Sequence, residues 1–296
     1  MRVFVTGATG FIGSAVIPNL IEAGHQVLGL ARSDAGAASL ASAGAEVHRG
    51  DLEDLESLRR GAALADGVIH LGFIHDFSRL QEVCEADRRA IEAMGEALVG
   101  SDRPFVVTSG TGMGNPGPGQ LAIEDHFDLD HPFPRAASEV AAEAVAARGV
   151  RVSVVRLPQV HDQLKHGLVT YSIAVAREKG VSAYIGDGLN RWPAVHLLDA
   201  APLYRLALEK GTPGERYHAV AEEGIPARAI AEAIGRGLKI PVVALPPEKA
   251  GEHFGALAYF VGLDMPASSE RTRQRLGWRP TQQAGMIDDL DHARCF

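Results

Sequence analysis

Residues 3–13 read Val-Phe-Val-Thr-Gly-Ala-Thr-Gly-Phe-Ile-Gly, an apolar run passing straight into Gly7-x-x-Gly10-x-x-Gly13. Glycines at this spacing, between a strand and a helix, let the backbone turn tightly and approach a pyrophosphate closely. The N-terminus of the following helix then offers free N–H groups and positive potential to the phosphates. The plainer alternative is a turn that only packs one helix on one strand. The motif constrains the fold because it belongs to a sheet whose strands alternate with helices.

That alternation continues through the first half. Strands are expected at Val3–Thr6, Gln26–Ala31, Glu46–Arg49, Gly67–Leu71, Pro104–Thr108 and Arg151–Arg156. Helices are expected at Gly13–Ala23, Asp34–Ala43, Glu53–Leu64, Ser78–Val99 and Ala137–Arg148. The pattern predicts an α/β fold, a Rossmann-type doubly wound parallel sheet with ligands at the carboxyl ends of the strands. After Pro158 the alternation weakens, with helices at Gly167–Lys179, Ala200–Glu209 and Pro226–Gly237 and strands at Ser182–Ile185 and Pro241–Leu245. The basic tail Ser268–Pro280 also reads as helical. A dinucleotide-binding domain over residues 1–160, rejoined by about 188–222, is therefore expected, with 161–187 and 223–296 forming a smaller, discontinuous C-terminal substrate-binding part. Between them, Gly112–Pro134 is rich in Gly and Pro and then acidic, the composition of a solvated lid or binding loop.

Composition excludes several classes. At 296 residues and 46% hydrophobic the chain can bury a large core. The net charge of −8 and the absence of a long basic run argue against nucleic acid and anionic membranes as partners. No stretch of about 18 apolar residues appears, and no signal-peptide pattern precedes the first strand. Two cysteines, Cys84 and Cys295, read as free thiols of a reducing, cytoplasmic compartment. No metal site is indicated: His70 with His75, and His126 with His131 in the acidic loop, lack ligand spacing. No G-x-S-x-G elbow is present.

Ala31-Arg32-Ser33 ends the second strand, beside the expected adenosine ribose. An acidic residue there would favour a 2′-OH; Arg32 instead suits a 2′-phosphate, with Ser33 as a donor. NADP is thus expected over NAD, the alternative being that Arg32 is solvated and Asp34 takes the ribose. Asp51 and Leu52 follow the third strand where adenine would lie, and Asp51 is equally a helix N-cap.

The glycine turn, Gly50-Asp-Leu52, Val68-Ile-His-Leu71, Arg191-x-x-x-Val195-His196-x-x-Asp199 and Leu276-Gly-Trp-Arg-Pro280 together resemble the extended short-chain dehydrogenase/reductases. These include the NAD(P)-dependent epimerase/dehydratase group and 3β-hydroxysteroid-dehydrogenase-like proteins. The resemblance spans essentially the whole chain. It implies cofactor contacts at Gly7, Thr9, Gly10, Phe11, Ile12, Gly13, Arg32, Ser33, Asp51, Leu52, Leu71, Gly72 and Thr108, with Pro158 beside the nicotinamide. It also implies catalysis by a Ser or Thr, a Tyr and a Lys, and there the chain departs. In Val107-Thr108-Ser109-Gly110-Thr111 the catalytic position falls on Gly110, with hydroxyls at Ser109 and Thr111. The family's Pro-Tyr-x-x-Ser-Lys matches Pro134-Arg-Ala-Ala-Ser-Glu139, so Tyr becomes Arg135 and Lys becomes Glu139. No other Tyr-x-x-x-Lys exists: Val175, Gly188, Leu208, Ala221 and Leu263 stand four residues after the five tyrosines.

Arginine cannot donate a proton near neutral pH but can polarise an oxygen. Glu139 is placed to pair with Arg135 at i,i+4, either as part of the site or as a structural ion pair. Another group must then move the proton. His75, beside Asp76 in the loop after the fourth strand, is the first candidate and His161 the second. His196 and Asp199 are expected to be structural, and Arg191 is a candidate pocket residue. The expected activity is an NADP(H)-dependent oxidoreductase using Thr111, Arg135, Glu139 and His75 on a small organic carbonyl or alcohol, or an imine. An NADPH-sensing protein without redox activity, and a lyase or isomerase using the nucleotide structurally, are the alternatives. The helices Ser78–Val99 and Ala137–Arg148 resemble those that pair in the family's dimers, which implies a homodimer; packing within one subunit suits them equally.

Overall fold

The computed structural model describes residues 1–117 and 119–296; Pro118, in the Gly/Pro-rich stretch, lies outside them. The strands are β1 Arg2–Thr6, β2 Gln26–Ala31, β3 Glu46–Arg49, β4 Gly67–His70, β5 Pro104–Gly110, β6 Arg151–Leu157, β7 Gln159–His161, β8 Ser182–Ile185, β9 Arg191–His196, β10 Arg216–His218, β11 Glu222–Pro226 and β12 Val242–Leu245. The helices are α1 Gly13–Glu22, α2 Asp34–Ser42, α3 Leu55–Ala63, α4 Leu80–Glu96, α5 Ala137–Ala146, α6 Val169–Lys179, α7 Leu197–Lys210, α8 Ala227–Leu238, α9 Ala250–Phe254, α10 Ala258–Val261, α11 Glu270–Leu276 and α12 Met286–Asp291.

Seven strands form one parallel sheet in the order β10-β6-β5-β4-β1-β2-β3. The two-residue period of each strand divides its side chains between two cores. Val3, Val5, Ile69, Val106 and Val155 enter the core under α1 and α7. Phe4, Val68, Phe105, Val107 and Val154 enter the other, under α3, α4 and α5. Each such side chain, fully buried, contributes about 1.5–3 kcal/mol of hydrophobic stabilisation, so burial on both faces is what commits these runs to the centre of a sheet. The chain order reverses on either side of β1, opening the crevice in which such sheets bind ligands.

The remainder builds onto this frame. β11-β9-β7 is a small sheet and β12-β8 a parallel pair. A third core joins α6, α8 and α12 with Trp192, Phe254 and Leu257. Leu276 and Trp278 of the tail pack into the first core, not into this third one. Trp278 Nε1 donates to the Asp199 carbonyl at 2.9 Å, and the Asp199 carboxylate accepts from Thr281 and Gln282. His196 caps α7, accepting from Leu198 N.

The Gly112–Pro134 segment is less free than a solvated lid. Glu124, in its acidic half, is buried and accepts from both the backbone N–H and the hydroxyl of Thr272 at 2.8 Å. Helices α4 and α5 pack against each other within this one chain. Both cysteines are free. Among the described residues no helix is long and apolar enough to cross a membrane.

Candidate active site

A cleft of about 1690 Å³ runs along the carboxyl ends of the central strands. One end is made by backbone. Gly7 has φ +64°, and a Cβ there would sit 2.7 Å from Gly72 N. A Cβ on Gly13 would sit 2.3 Å from Gly7 O. The turn therefore closes onto the end of β4 in a way no side chain allows. Helix α1 starts without a side-chain cap, and Gly10, Phe11, Ile12 and Gly13 all line the cleft. This cradle, with the uncapped helix start beside it, fits a dinucleotide pyrophosphate. Thr9, Arg32, Asp51, Leu52, Leu71, Gly72, Thr108 and Pro158 line the same cleft.

Two neighbours of Arg32 are engaged elsewhere. Asp34 pairs with Arg49. Ser33 does not line the cleft; its hydroxyl oxygen caps α2, accepting from Gly36 N at 3.1 Å. A serine just before a helix is an N-cap by preference, and accepting that bond leaves the Ser33 O–H available as a donor. Asp51 is not a helix N-cap: Asp54 caps α3, and Asp51 only accepts from Glu53 N.

The other end is made by side chains. Arg135 lines the cleft, held from behind. Its Nη1 donates to Asp87 Oδ2 at 2.8 Å and its Nη2 to the Thr108 carbonyl at 2.8 Å, while Ser138 bonds both Arg135 and Asp87. Its Cζ lies 4.4 Å from the centre of the Phe73 ring. The chain of contacts continues inward: Asp87 Oδ1 is 3.0 Å from His70 Nε2, and His70 Nδ1 is 2.6 Å from Thr6 Oγ1, which accepts from Gly72 N. The arrangement assigns the His70 proton to Nε2, facing the carboxylate. Burial pushes the Asp87 carboxyl up, but the Arg135 guanidinium and the His70 hydrogen bond outweigh it and hold it below the usual range.

Glu139 is not at this site. It is wholly buried, away from the cleft, and receives a bidentate Arg156 with both N–O distances 2.8 Å and Arg216 Nε at 2.8 Å. The i,i+4 pair with Arg135 does not form. Arg135 belongs to a 3₁₀ turn, Pro134–Ala136, that precedes α5, so α-helical spacing does not relate the two. Arg156 also donates to the His126 carbonyl and lies 3.2 Å from His218 Nε2, whose Nδ1 donates to the Ser268 carbonyl. Burial between these groups pushes His218 down to about 3.

Thr111 is buried and lines the cleft near its middle. His75 lies at the mouth, exposed on one side, its ring edge-on to Phe73 at 5.3 Å. Crowding by protein lowers its pKa, and the charges of Arg135 and Lys165 add to this. His161 does not line the cleft. It is buried with Nδ1 2.7 Å from Asp289, and Arg191 is tied to Asp264 at 2.8 Å. Tyr204 stands 2.9 Å behind Thr108 Oγ1, wholly buried, with its hydroxyl pKa held far above the ordinary value by burial.

Sequence reasoning passed over Asp87, weighed His70 only as a metal ligand, and passed over Lys165, whose Nζ lies 5.6 Å from the Phe11 ring centre. Asp87 left a signal: in α4 it occupies the same stripe as Val83, Ala90, Ile91 and Met94, an acid on an otherwise buried apolar face.

Fold and cleft together define a Rossmann-like α/β protein with a glycine-lined cleft at the carboxyl ends of its strands. The chain belongs to the NAD dependent epimerase/dehydratase family, whose model matches residues 3–220. It is 52% identical over 289 residues to an uncharacterized protein of Schizosaccharomyces pombe, covering 97% of this chain and 98% of that one. An uncharacterized protein of Saccharomyces cerevisiae is 49% identical over 294 residues, covering 98% of each. Among solved structures, the UDP-glucose 4-epimerase of Thermus thermophilus in complex with NAD shares the fold, with a TM-score of 0.76 at 21% identity, covering 99% of this chain and 97% of that one.

Proposed function

We propose that the protein is an NADP(H)-dependent oxidoreductase acting on a small organic carbonyl or the corresponding alcohol. The observation that carries this reading is Arg135: a guanidinium fixed by Asp87, Ser138 and the Thr108 carbonyl, on a cleft whose other end is a glycine cradle. Gly7, Thr9, Gly10, Phe11, Ile12 and Gly13 hold the pyrophosphate, and Leu71, Gly72, Thr108 and Pro158 flank the nicotinamide. Arg32, exposed on the cleft while Asp34 is taken by Arg49, meets a 2′-phosphate. The cofactor supplies hydride when bound.

The protein's own part is electrostatic. Arg135 and Thr111 hold the substrate oxygen and stabilise the negative charge that grows on it during reduction. Arg135 gives up no proton, so the proton reaches that oxygen from His75, directly or through water. With its pKa lowered, His75 is neutral near pH 7; one ring nitrogen donates while the other is reprotonated from solvent.

A fluorescence titration with NADPH and NADH tests the cofactor assignment. NADPH is expected to bind at least about tenfold tighter, equivalent to about 1.4 kcal/mol, and Arg32→Ala to remove the preference. Tighter NADH binding would reassign the ribose contact. Deuterium carried from labelled NADPH to product tests the redox role, because a nucleotide sensor, or a lyase using the nucleotide structurally, leaves no label in the product.

A further inference from the structure

The outer half of the cleft is walled by aromatic rings from distant parts of the chain. Phe73 and Phe77 come from the β4–α4 loop, Phe133 from the segment before α5, Tyr171 from α6, and Tyr259 and Phe260 from α10. Their rings contact one another along the wall of the cleft. Phe77 is edge-on to Tyr171 at 5.3 Å and 5.9 Å from Phe260. Phe133 stacks on Tyr259 with an interplanar angle of 3° and meets Phe260 edge-on at 5.6 Å. Aromatics make up only 6% of this sequence, so six at one end of one cleft are concentrated there. Tyr171 and Tyr259 keep 39% and 57% of their surface exposed, which leaves ring surface open at the cleft.

Each arginine at this end already has a carboxylate partner. Arg135 is paired with Asp87, Arg79 with Asp76 and Glu82, and Arg89 with Glu85. Arg191, near the rim, holds Asp264. Among the described residues the outer cleft therefore presents no arginine free of a carboxylate, and Glu82, Glu85 and Asp264 line it as well. A sugar diphosphate would meet acids and ring faces there, with Lys165, beside the Phe11 ring, as the lining lysine without a carboxylate among the described residues. A flat ring would find edge-on and offset-stacking partners, the arrangements aromatic rings prefer. Its carbonyl would reach inward past Phe73 to the Arg135 guanidinium, which lies over that ring.

We propose that the outer cleft is a binding site for compact planar aromatic carbonyl compounds, one or two fused rings bearing an aldehyde or ketone, and that Phe77, Phe133 and Phe260 select the ring. This rests on the reading of Arg135 as the group that holds the substrate oxygen. In the reduction, hydride adds to the carbonyl carbon, the C=O π pair passes to oxygen, and oxygen takes the proton. The nicotinamide is oxidised and the carbonyl reduced to an alcohol.

The test compares benzaldehyde with cyclohexanecarboxaldehyde, matched in carbon skeleton and different in planarity, with the intact protein and NADPH. The aryl aldehyde is conjugated and intrinsically the less reactive, so a preference for it reports binding. A kcat/KM at least tenfold higher for benzaldehyde is expected. Phe260→Leu should bring the ratio below threefold while leaving NADPH affinity unchanged. Binding of 2-naphthoate, followed by saturation-transfer NMR, is measured in parallel and should weaken in Phe260→Leu. Equal turnover of the two aldehydes, or preference for the cyclohexyl one, overturns the aromatic assignment and leaves the reductase reading standing. No turnover of either, with naphthoate bound and weakened by Phe260→Leu, overturns the reductase reading and retains the aromatic site. Neither turnover nor naphthoate binding overturns both.

Discussion

Arg135 and Glu139 stand four residues apart, and each belongs to a buried charge network, one gathered on Asp87 and the other on Arg156. In the first network the carboxylate is deep and the arginine reaches the cleft: Asp87 is 3% exposed and Arg135 15%. In the second the Glu139–Arg156 pair is fully buried, the remaining donors of Arg156 go to the Ile123 and His126 carbonyls and His218, and the outer arginine, Arg216, is covered by Glu143. The same ion-pair chemistry thus serves two ends. A network whose outer cation is met by a carboxylate, as Glu143 meets Arg216, contributes structure, whereas one with a cation at its open end offers that cation to a ligand. Where the network ends, more than what it contains, separates a site from a core.

The comparison is tested hardest by opening the closed network. Glu139→Ala leaves Arg156 without its carboxylate in a dry interior, while Arg216 keeps Glu143. Removal of one partner of a buried pair costs about 3–5 kcal/mol, so urea unfolding should show a loss of that size. A loss under about 1 kcal/mol would mean that the second network is not closed. Arg135→Ala is expected to act on rate and, by leaving buried Asp87 with only His70 and Ser138, on stability as well. Loss of one oxyanion-stabilising donor lowers kcat by about 10²–10³, or about 2.7–4 kcal/mol in the barrier, with NADPH affinity within twofold of wild type. Wild-type turnover in that variant would end the assignment of Arg135 to the substrate oxygen.

Asp87→Asn sharpens the contrast more gently. Arg135 keeps its bond to the Thr108 carbonyl but loses its charged anchor. About a tenfold fall in kcat, near 1.4 kcal/mol, is expected, with KM nearly unchanged. If KM alone rose, Arg135 would be binding substrate without favouring the transition state.

The two ends of the cleft differ in how far they can be read from sequence. The glycine cradle is local, since Gly7, Gly10 and Gly13 build it with the neighbouring end of β4, and their spacing declares it. The side-chain end is not. Asp87 meets Arg135 across 48 positions, a contact that exists only once β4 and β5 lie side by side and α4 packs on α5. The Arg135–Glu139 expectation failed for a smaller reason: helical spacing was extended into a 3₁₀ turn. Strands β7 and β10, at three residues each, and β11, with its bulge between Glu222 and Ile225, carry too little period-two pattern to be recognised. The aromatic wall left no local trace because its rings come from four separate segments.

The closed network should also declare itself in acid. His218 is buried against Arg156, with its ring proton on Nδ1 given to the Ser268 carbonyl, and it stays neutral in the fold down to about 3. In the unfolded chain a histidine titrates near 6.5. Below that value the unfolded state binds a proton that the folded state refuses, so stability is complete above pH 6.5 and declines as pH falls toward 3. From pH 7 to pH 5.5 the His218 share is about 1 kcal/mol. Thermal melts across that interval should show the decline, and His218→Gln, whose amide can accept from Arg156 and donate to Ser268 without titrating, should flatten it. An equally steep decline in His218→Gln would assign the acid sensitivity elsewhere. His166 is the next such group: it is buried and pushed down to about 4, chiefly by burial.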